Sequence, residues 1–295
     1  MNRKQFVRRA TLAAISSSTV LHSKAQDNKD NRFSVALSQY SLRALLADKT
    51  LAVLDFPAFT VETFGIKAID LWEGGLPKDK LDDPSYYTKL KSRSDKAGTD
   101  LFLFMAGAYD CGAEKREASL PGILKSLERA ASLDCDFLRV FLRAPGTEES
   151  VGVDACVEAL KPLLEAAAEK KITIAIEPGA SLLSSRGAFL AKIASQLKHP
   201  ALTLMPDFGK LKNNVYEGTE AMLPHTQTIS CKMHSFDNEG NQPDFDYPRL
   251  MKMIANSEYS GYLAIEWEGS ALDPIKGVKA SQALISRSLA TLKGN

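Results

Sequence analysis

Short runs in which large aliphatic residues alternate with small or polar ones recur along the chain, separated by stretches with apolar residues at every third or fourth position. The alternating runs begin near Phe33, Lys67, Asp100, Asp136, Lys171, Ala201, Thr228 and Tyr262, and period-two alternation predicts strands. Between them, SLPGILKSLERAASL, DACVEALKPLLEAAAEKK and GAFLAKIASQLK carry apolar stripes opposite charged faces, which predicts amphipathic helices. Eight strands alternating with helices predict an α/β fold, a (β/α)8 barrel, because parallel neighbours need crossover helices and the count matches closure. A doubly wound open sheet is the alternative. Against it, no G-x-G-x-x-G follows the first strand and no P-loop occurs anywhere. No low-complexity tract or second boundary interrupts the pattern, so a single domain is expected over residues 27–295.

Four of the strand-like runs, KITIAIE, ALTLMPD, TISCKMH and YLAIE, end on polar residues, Glu177, Asp207, His234 and Glu266, at successive separations of 30, 27 and 32 residues. Each separation is about one βα unit. In every run the terminal polar residue falls on the small-residue parity, opposite the large aliphatic positions, so all four heads are expected to point into one cavity at the carboxyl rim of the barrel, where the loops after the strands carry chemistry. Three carboxylates and an imidazole suit a divalent metal of hard to borderline character.

The same alternation places further side chains inside. In FLRVFLRAPG the aliphatic parity is Leu138, Val140 and Leu142, which leaves Arg139, Phe141 and Arg143 toward the interior. Arg143 is a candidate for binding a substrate carboxylate, phosphate or sugar oxygen, and Arg139 is expected to form an internal salt bridge. Lys232 shares the parity of His234 and is expected one layer below it, within reach of a ligand carboxylate, and is a further candidate for substrate binding. Trp72 ends the second strand on the parity of Asp70 and is a candidate for stacking on a sugar ring. His199 and His225 lie in turns at the opposite end of the barrel, where solvated or capping roles are expected, and His22 falls in the N-terminal segment.

Composition changes the picture mainly at the N-terminus. MNRKQFVRRA is basic, TLAAISSSTVL is apolar but too short to span a bilayer, and Ser23-Lys24-Ala25 puts small residues where a signal peptidase cuts. Residues 1–25 therefore read as a signal peptide. Arg3-Lys4-Gln5-Phe6-Val7 resembles a twin-arginine export signal with Lys in the second position, which implies a periplasmic or otherwise exported protein. The segment carries five Lys or Arg and no acid, so its removal takes the formal net charge from +1 to −4. That charge gives no preference for nucleic acid or an anionic membrane, and no stable membrane anchor is expected after cleavage. The cysteines, Cys111, Cys135, Cys156 and Cys231, form no C-x-x-C pair and no zinc-ribbon spacing, so isolated buried thiols are expected, with Cys231 facing a helix.

The order of IAIEPG, LMPDFGK, CKMHSFD and LAIEWEG resembles the sugar isomerase and epimerase group of xylose-isomerase-like TIM barrels, over essentially the whole mature chain. In that group a Glu ends strand five, an Asp strand six, a His strand seven and a Glu strand eight. The resemblance implies that Glu177, Asp207, His234 and Glu266 hold a divalent ion such as Mn, Mg, Co or Zn, and that Glu177 and Glu266 also form the acid/base pair. It implies a carbohydrate substrate from which a proton is moved at a carbon next to a carbonyl, and leaves homo-oligomerisation open. The chain departs from the group in two places. Glu177-Pro178-Gly179 replaces the common Glu-Asn-His, and SFDNEGNQPDFD lacks the Arg that ketose 3-epimerases carry after the strand-seven His. Two other readings stand beside the isomerase: a metal-dependent lyase or hydrolase on keto-glycosides, in which the same proton abstraction expels a leaving group, and a non-catalytic carbohydrate-binding barrel.

Overall fold

The computed structural model describes residues 32–211 and 215–292. The signal peptide expected over residues 1–25 lies outside the described residues. The eight expected strands are all present: β1 Phe33–Ser38, β2 Ala68–Trp72, β3 Asp100–Asp110, β4 Phe137–Arg143, β5 Thr173–Glu177, β6 Leu202–Leu204, β7 Thr228–Met233 and β8 Gly261–Trp267. One principal helix follows each: α1 Phe56–Phe64, α2 Pro84–Ala97, α3 Arg116–Ser132, α4 Glu149–Lys170, α5 Gly187–Leu197, α6 Val215–Met222, α7 Tyr247–Ala255 and α8 Pro274–Thr291.

Parallel ladders run in the order β6-β5-β4-β3-β2-β1-β8-β7. The two end strands meet through isolated parallel bridges, Leu204 with Thr226 and Asp207 with Ser230, so the curled sheet closes on itself. The open-sheet alternative is thereby excluded and the fold is an α/β TIM barrel. Helix starts follow local chemistry. Asp83, Asp246 and Asp273 cap α2, α7 and α8 by accepting a backbone N–H of the first turn, each followed within two residues by a proline whose missing N–H is not needed there.

Period-two alternation sorts the apolar residues into two shells. The larger shell, which includes Leu138, Val140, Leu142, Ile174, Ile176 and Cys231, packs between strands and helices. The smaller one fills the barrel and includes Ala36, Ala68, Ala175, Ala264, Phe102, Phe137, Met105, Met205 and Tyr262. Phe102 and Tyr262, near the starts of their strands, stack with ring centroids 4.2 Å apart and plug the amino end. The alanines of β1, β2, β5 and β8 form a narrow-side-chain layer above that plug. Polar side chains at the carboxyl ends of the strands therefore have room to turn inward and meet one another. All four cysteines are buried and free, and Cys231 belongs to the helix-facing shell.

Candidate active site

Glu177 is the last residue of β5, Asp207 follows β6 at its bridge to β7, and Glu266 is in β8. One carboxylate oxygen of each lies within 4.8 Å of the others, and the three residues are 1%, 0% and 5% exposed. Uncompensated, three carboxylates so close in a buried site would repel one another strongly. Two cations and a hydroxyl hold them together. Arg139 Nε lies 2.8 Å from Glu177 Oε2 while its Nη1 donates to the Ala106 carbonyl at 2.6 Å, so the guanidinium is anchored on both sides. Lys232 Nζ sits 3.0 Å from Glu266 Oε1, 3.3 Å from Asp207 Oδ2 and 2.8 Å from Glu268 Oε1. Ser230 Oγ lies 2.7 Å from Asp207 Oδ2 and 3.0 Å from Glu266 Oε2. A hydroxyl has one proton to donate but two lone pairs, so it can donate to Asp207 while accepting from Glu266 when that acid is protonated.

The electrostatics agree with such sharing. Burial pushes the Glu177 carboxyl well above its ordinary range and nearby Asp207 and Glu266 add to the rise, against the pull of Arg139 and Lys232. Burial likewise raises Glu266, opposed by Lys232 and helped by Asp207. For Lys232 burial alone would favour the neutral amine, but Asp207, Glu266, Glu177 and Glu268 outweigh it and keep the ammonium. Glu268 is also pushed up by burial, yet hydrogen bonding to His234 and the charge of Lys232 bring it below the usual range.

The expected fourth ligand does not join the three carboxylates. His234 lies just past the end of β7, its side chain is 40% exposed, and its Nε2 is 3.8 Å from Glu268 Oε2. The physical reason is the two-residue period: the residue of β7 level with Glu266 in the ladder is Lys232, and the imidazole two positions on stands one layer higher, at the rim. A Cβ at Gly209 would come within 2.6 Å of Lys232 Cδ and 2.8 Å of His234 Cε1. Glycine there lets the loop after β6 lie directly against both side chains.

The remaining candidates divide. Arg143 is not brought to the cluster; its side chain is 56% exposed and its Nη1 is 3.9 Å from Asp110 Oδ2, because β3 extends to Asp110 and pairs beside it. Arg139, one layer lower, takes the interior position. Trp72 is at the rim, packed edge-on to Tyr40 with centroids 4.8 Å apart and laid over Gly74 and Gly75. His199 Nδ1 accepts the Ala201 N–H and His225 Nε2 is 3.0 Å from Ser195 Oγ, so both serve turns away from the cluster.

Three polar residues were not singled out as candidates: Ser230, Glu268 and Asp70. Ser230 shares the parity of Lys232, and Glu268 that of Glu266, so alternation alone contained the signal. Asp70 in β2 is fully buried, with Oδ1 accepting the Gln39 N–H at 3.0 Å and Oδ2 lacking a hydrogen-bond partner. Burial, with Glu266 adding, pushes its pKa up to about 8. Because the native state holds this proton more tightly than the unfolded chain does, Asp70 draws stability down as pH rises from its ordinary 3.8 to about 8. Asp70→Asn keeps the Oδ1 acceptor but cannot ionise. Its urea midpoint is expected to gain on the wild type more at about pH 8 than at about pH 5; equal differences at both values would show that Asp70 does not titrate in this window.

Residues 60–288 match the model of the xylose isomerase-like TIM barrel family. The E. coli 3-keto-D-glucoside 4-epimerase in its apo form superimposes with a TM-score of 0.64 at 14% identity, covering 88% of this chain and 100% of that one. The IOLI protein with a binding zinc atom superimposes with a TM-score of 0.68 at 9% identity, covering 88% and 98%. A local match to the C-glycoside deglycosidase alpha subunit of Arthrobacter globiformis is 34% identical over 74 residues, 23% of this chain and 21% of that protein's length. With the barrel closed, the acidic cluster at its carboxyl end and the family model covering most of its length, the chain belongs to the xylose isomerase-like TIM barrel family.

Proposed function

We propose that the protein is an exported, divalent-metal-dependent sugar isomerase or epimerase that moves a proton at a carbon next to a carbonyl. The observation that carries this reading is the convergence of Glu177, Asp207 and Glu266 inside the carboxyl end of the barrel. Carboxyl groups are able proton donors and acceptors when held within reach of a substrate carbon. The similarity to an epimerase of a keto-glucoside supports a carbohydrate substrate, and so does the aromatic pair Tyr40 and Trp72 at the rim.

The residues fit a divalent ion in kind and in charge. Carboxylate oxygens are hard donors, and Glu177, Asp207, Glu266 and Glu268 are paired with the two cations Arg139 and Lys232, an excess of two negative charges when all four are ionised and His234 is neutral. Glu177, Asp207 and Glu266 would hold the ion, as the zinc-bearing barrel of the same fold encourages. When bound, such an ion supplies positive charge against the negative charge that develops on the carbonyl oxygen. The rest falls to the chain: Glu177 and Glu266 take and return the proton, Arg139 orients Glu177, and Ser230 relays a hydrogen bond between Asp207 and Glu266.

Deuterium wash-in tests the reading. Mature protein loaded with Mn2+ is incubated in deuterated buffer with free ketoses and with 3-keto-glycosides, and products are resolved by mass spectrometry. Deuterium incorporated without a new fragment is the expected result; no exchange with any of these sugars overturns it. The local similarity to the C-glycoside deglycosidase alpha subunit favours a second reading, in which the same proton abstraction expels an aglycone. A released aglycone in the same experiment identifies it.

Export follows from the Arg3-Lys4 segment and its small-residue cleavage site. The mature protein is expected to begin near Gln26 and to leave the cytoplasm folded. N-terminal sequencing of the exported fraction checks this, and an intact Met1 there contradicts it.

A further inference from the structure

Asp207-Phe208-Gly209-Lys210 makes a tight turn just past β6. The Lys210 N–H donates to Asp207 Oδ1 at 2.7 Å and to the Asp207 carbonyl at 3.2 Å, so the side chain of Lys210 starts from a point fixed on the acidic cluster. From there it runs past Gly179 to Phe141. A Cβ at Gly179 would stand 3.8 Å from Lys210 Cδ and 3.5 Å from Phe141 Cδ1, and Lys210 Nζ is 5.6 Å from the centre of the Phe141 ring. Gly179 has a φ of +129°, which favours glycine, so no side chain is interposed there. Phe141 pairs with Glu177 in the ladder of β4 and β5, which puts the half-buried Lys210 beside the candidate proton-transfer site.

The other cations around the mouth are engaged. Arg139 is paired with Glu177, Lys232 with Asp207, Glu266 and Glu268, and Arg43 donates to the carbonyls of Tyr40, Trp267 and Glu268. Lys210 forms no ion pair with any of the described residues. Arg143, two positions beyond Phe141 on the same parity, adds a second positive head one layer higher, its contact with Asp110 stretched to 3.9 Å.

We propose that Lys210 binds an anionic group of the substrate, which makes that substrate a sugar acid or a phosphorylated sugar. The proposal rests on the carbohydrate reading above and deepens it by naming the class. An ammonium beside an aromatic ring is partly shielded from water, so a charge-assisted hydrogen bond to a carboxylate or phosphate oxygen is stronger there than in open solvent. The four carboxylates of the cluster already engage Arg139 and Lys232, whereas the charge of Lys210 is left for a ligand. An anion held by Lys210 leaves the adjoining carbons of the sugar beside Phe141, at the height of Glu177.

Titration calorimetry on the full mature chain in Mn2+-containing buffer tests the assignment. The probes are D-glucuronate and D-glucose 6-phosphate, each compared with D-glucose, and 2-keto-D-gluconate, compared with D-fructose. At least one charged sugar is expected to bind about 10- to 100-fold more tightly than its neutral counterpart. A preference confined to the carboxylates identifies a sugar acid, and one confined to the phosphate a phosphorylated sugar. Lys210→Met is expected to reduce the preference below about threefold while changing affinity for the neutral sugar less than about threefold, and Lys210→Arg to keep most of it. Melting curves accompany the variants, and Lys210→Gln takes the place of Lys210→Met should the latter not fold. Failure of every charged sugar to bind more tightly than its counterpart overturns the proposal. So does a preference that survives in Lys210→Met, or an equal loss of charged and neutral sugars in that variant. Binding needs no turnover, so a charge preference stands even where no sugar exchanges deuterium. Conversely, exchange on neutral keto-glycosides without any charge preference supports the reaction and removes Lys210 from substrate binding.

Discussion

Turnover is expected to fall by roughly 10²–10⁴ when either Glu177 or Glu266 is replaced by Gln, the range typical of a lost acid/base group. Glutamine keeps the size of the side chain and an oxygen that can face a cation, but it cannot accept or release a proton at neutral pH. The two substitutions are not equivalent in their surroundings. At Glu177 the amide leaves the buried guanidinium of Arg139 with a neutral partner in place of an ion pair at 2.8 Å. At Glu266 the lost charge is one of three that surround Lys232, and Asp207 and Glu268 remain within 3.3 Å and 2.8 Å of its Nζ. Glu177→Gln is therefore expected to lower thermal stability more than Glu266→Gln, although both lower activity. Single-turnover deuterium exchange at saturating substrate and Mn2+, alongside a melting curve, separates the effects. Full activity in metal-saturated protein would show that neither carboxylate moves the proton, and would leave Lys232 as the buried group best placed to do so.

Much of this site is legible in the sequence because two periodicities do most of the placement. Alternation along KITIAIE and YLAIE put Glu177 and Glu266 on the interior face, and the βα repeat put both at the same end of the barrel; the structure has both there. The same alternation placed Lys232 beneath His234, and the closed barrel has it one layer lower, among the carboxylates. What alternation cannot give is height. Residues two apart on one strand share a face but differ by about 6.6 Å along it, and the stagger between neighbouring strands in a barrel decides which of them is level with a given acid. In β7 the sequence reading takes His234 as the residue level with the acids, and the ladder pairs Lys232 with Glu266 instead. Arg143 was subject to the same uncertainty, since Arg139 and Arg143 share an inward parity yet only the lower one reaches Glu177. Asp70 was inconspicuous for another reason: a single acid in IDLWEGG reads as ordinary until burial removes its solvent and leaves one oxygen without a partner.

Arg139→Met is expected to destabilise the fold by about 3–5 kcal/mol, the cost of leaving one member of a buried ion pair without the other. Arg139 is 6% exposed, pairs with Glu177, donates to the Ala106 carbonyl and lies over the Phe141 ring at 4.2 Å. Methionine retains much of the apolar contact with Phe141 but supplies neither the charge nor the hydrogen bond. The Glu177 carboxylate then stands beside Asp207 and Glu266 with only Lys232 to offset it, so it takes up a proton more readily than before. The sign of the pH dependence follows. A protonated Glu177 has no charge to strand, so the deficit relative to the wild type narrows as pH falls and widens as pH rises. Urea denaturation of both proteins at several pH values measures this directly, with midpoints compared at equal slope. Adding Glu177→Gln to Arg139→Met removes the stranded carboxylate and is expected to recover part of the loss, the coupling that a double-mutant cycle isolates. A loss below about 1 kcal/mol in Arg139→Met, or no recovery in the double variant, would mean that the guanidinium and Glu177 do not depend on one another. Arg139 would then owe its place in the barrel to Ala106 and Phe141 alone.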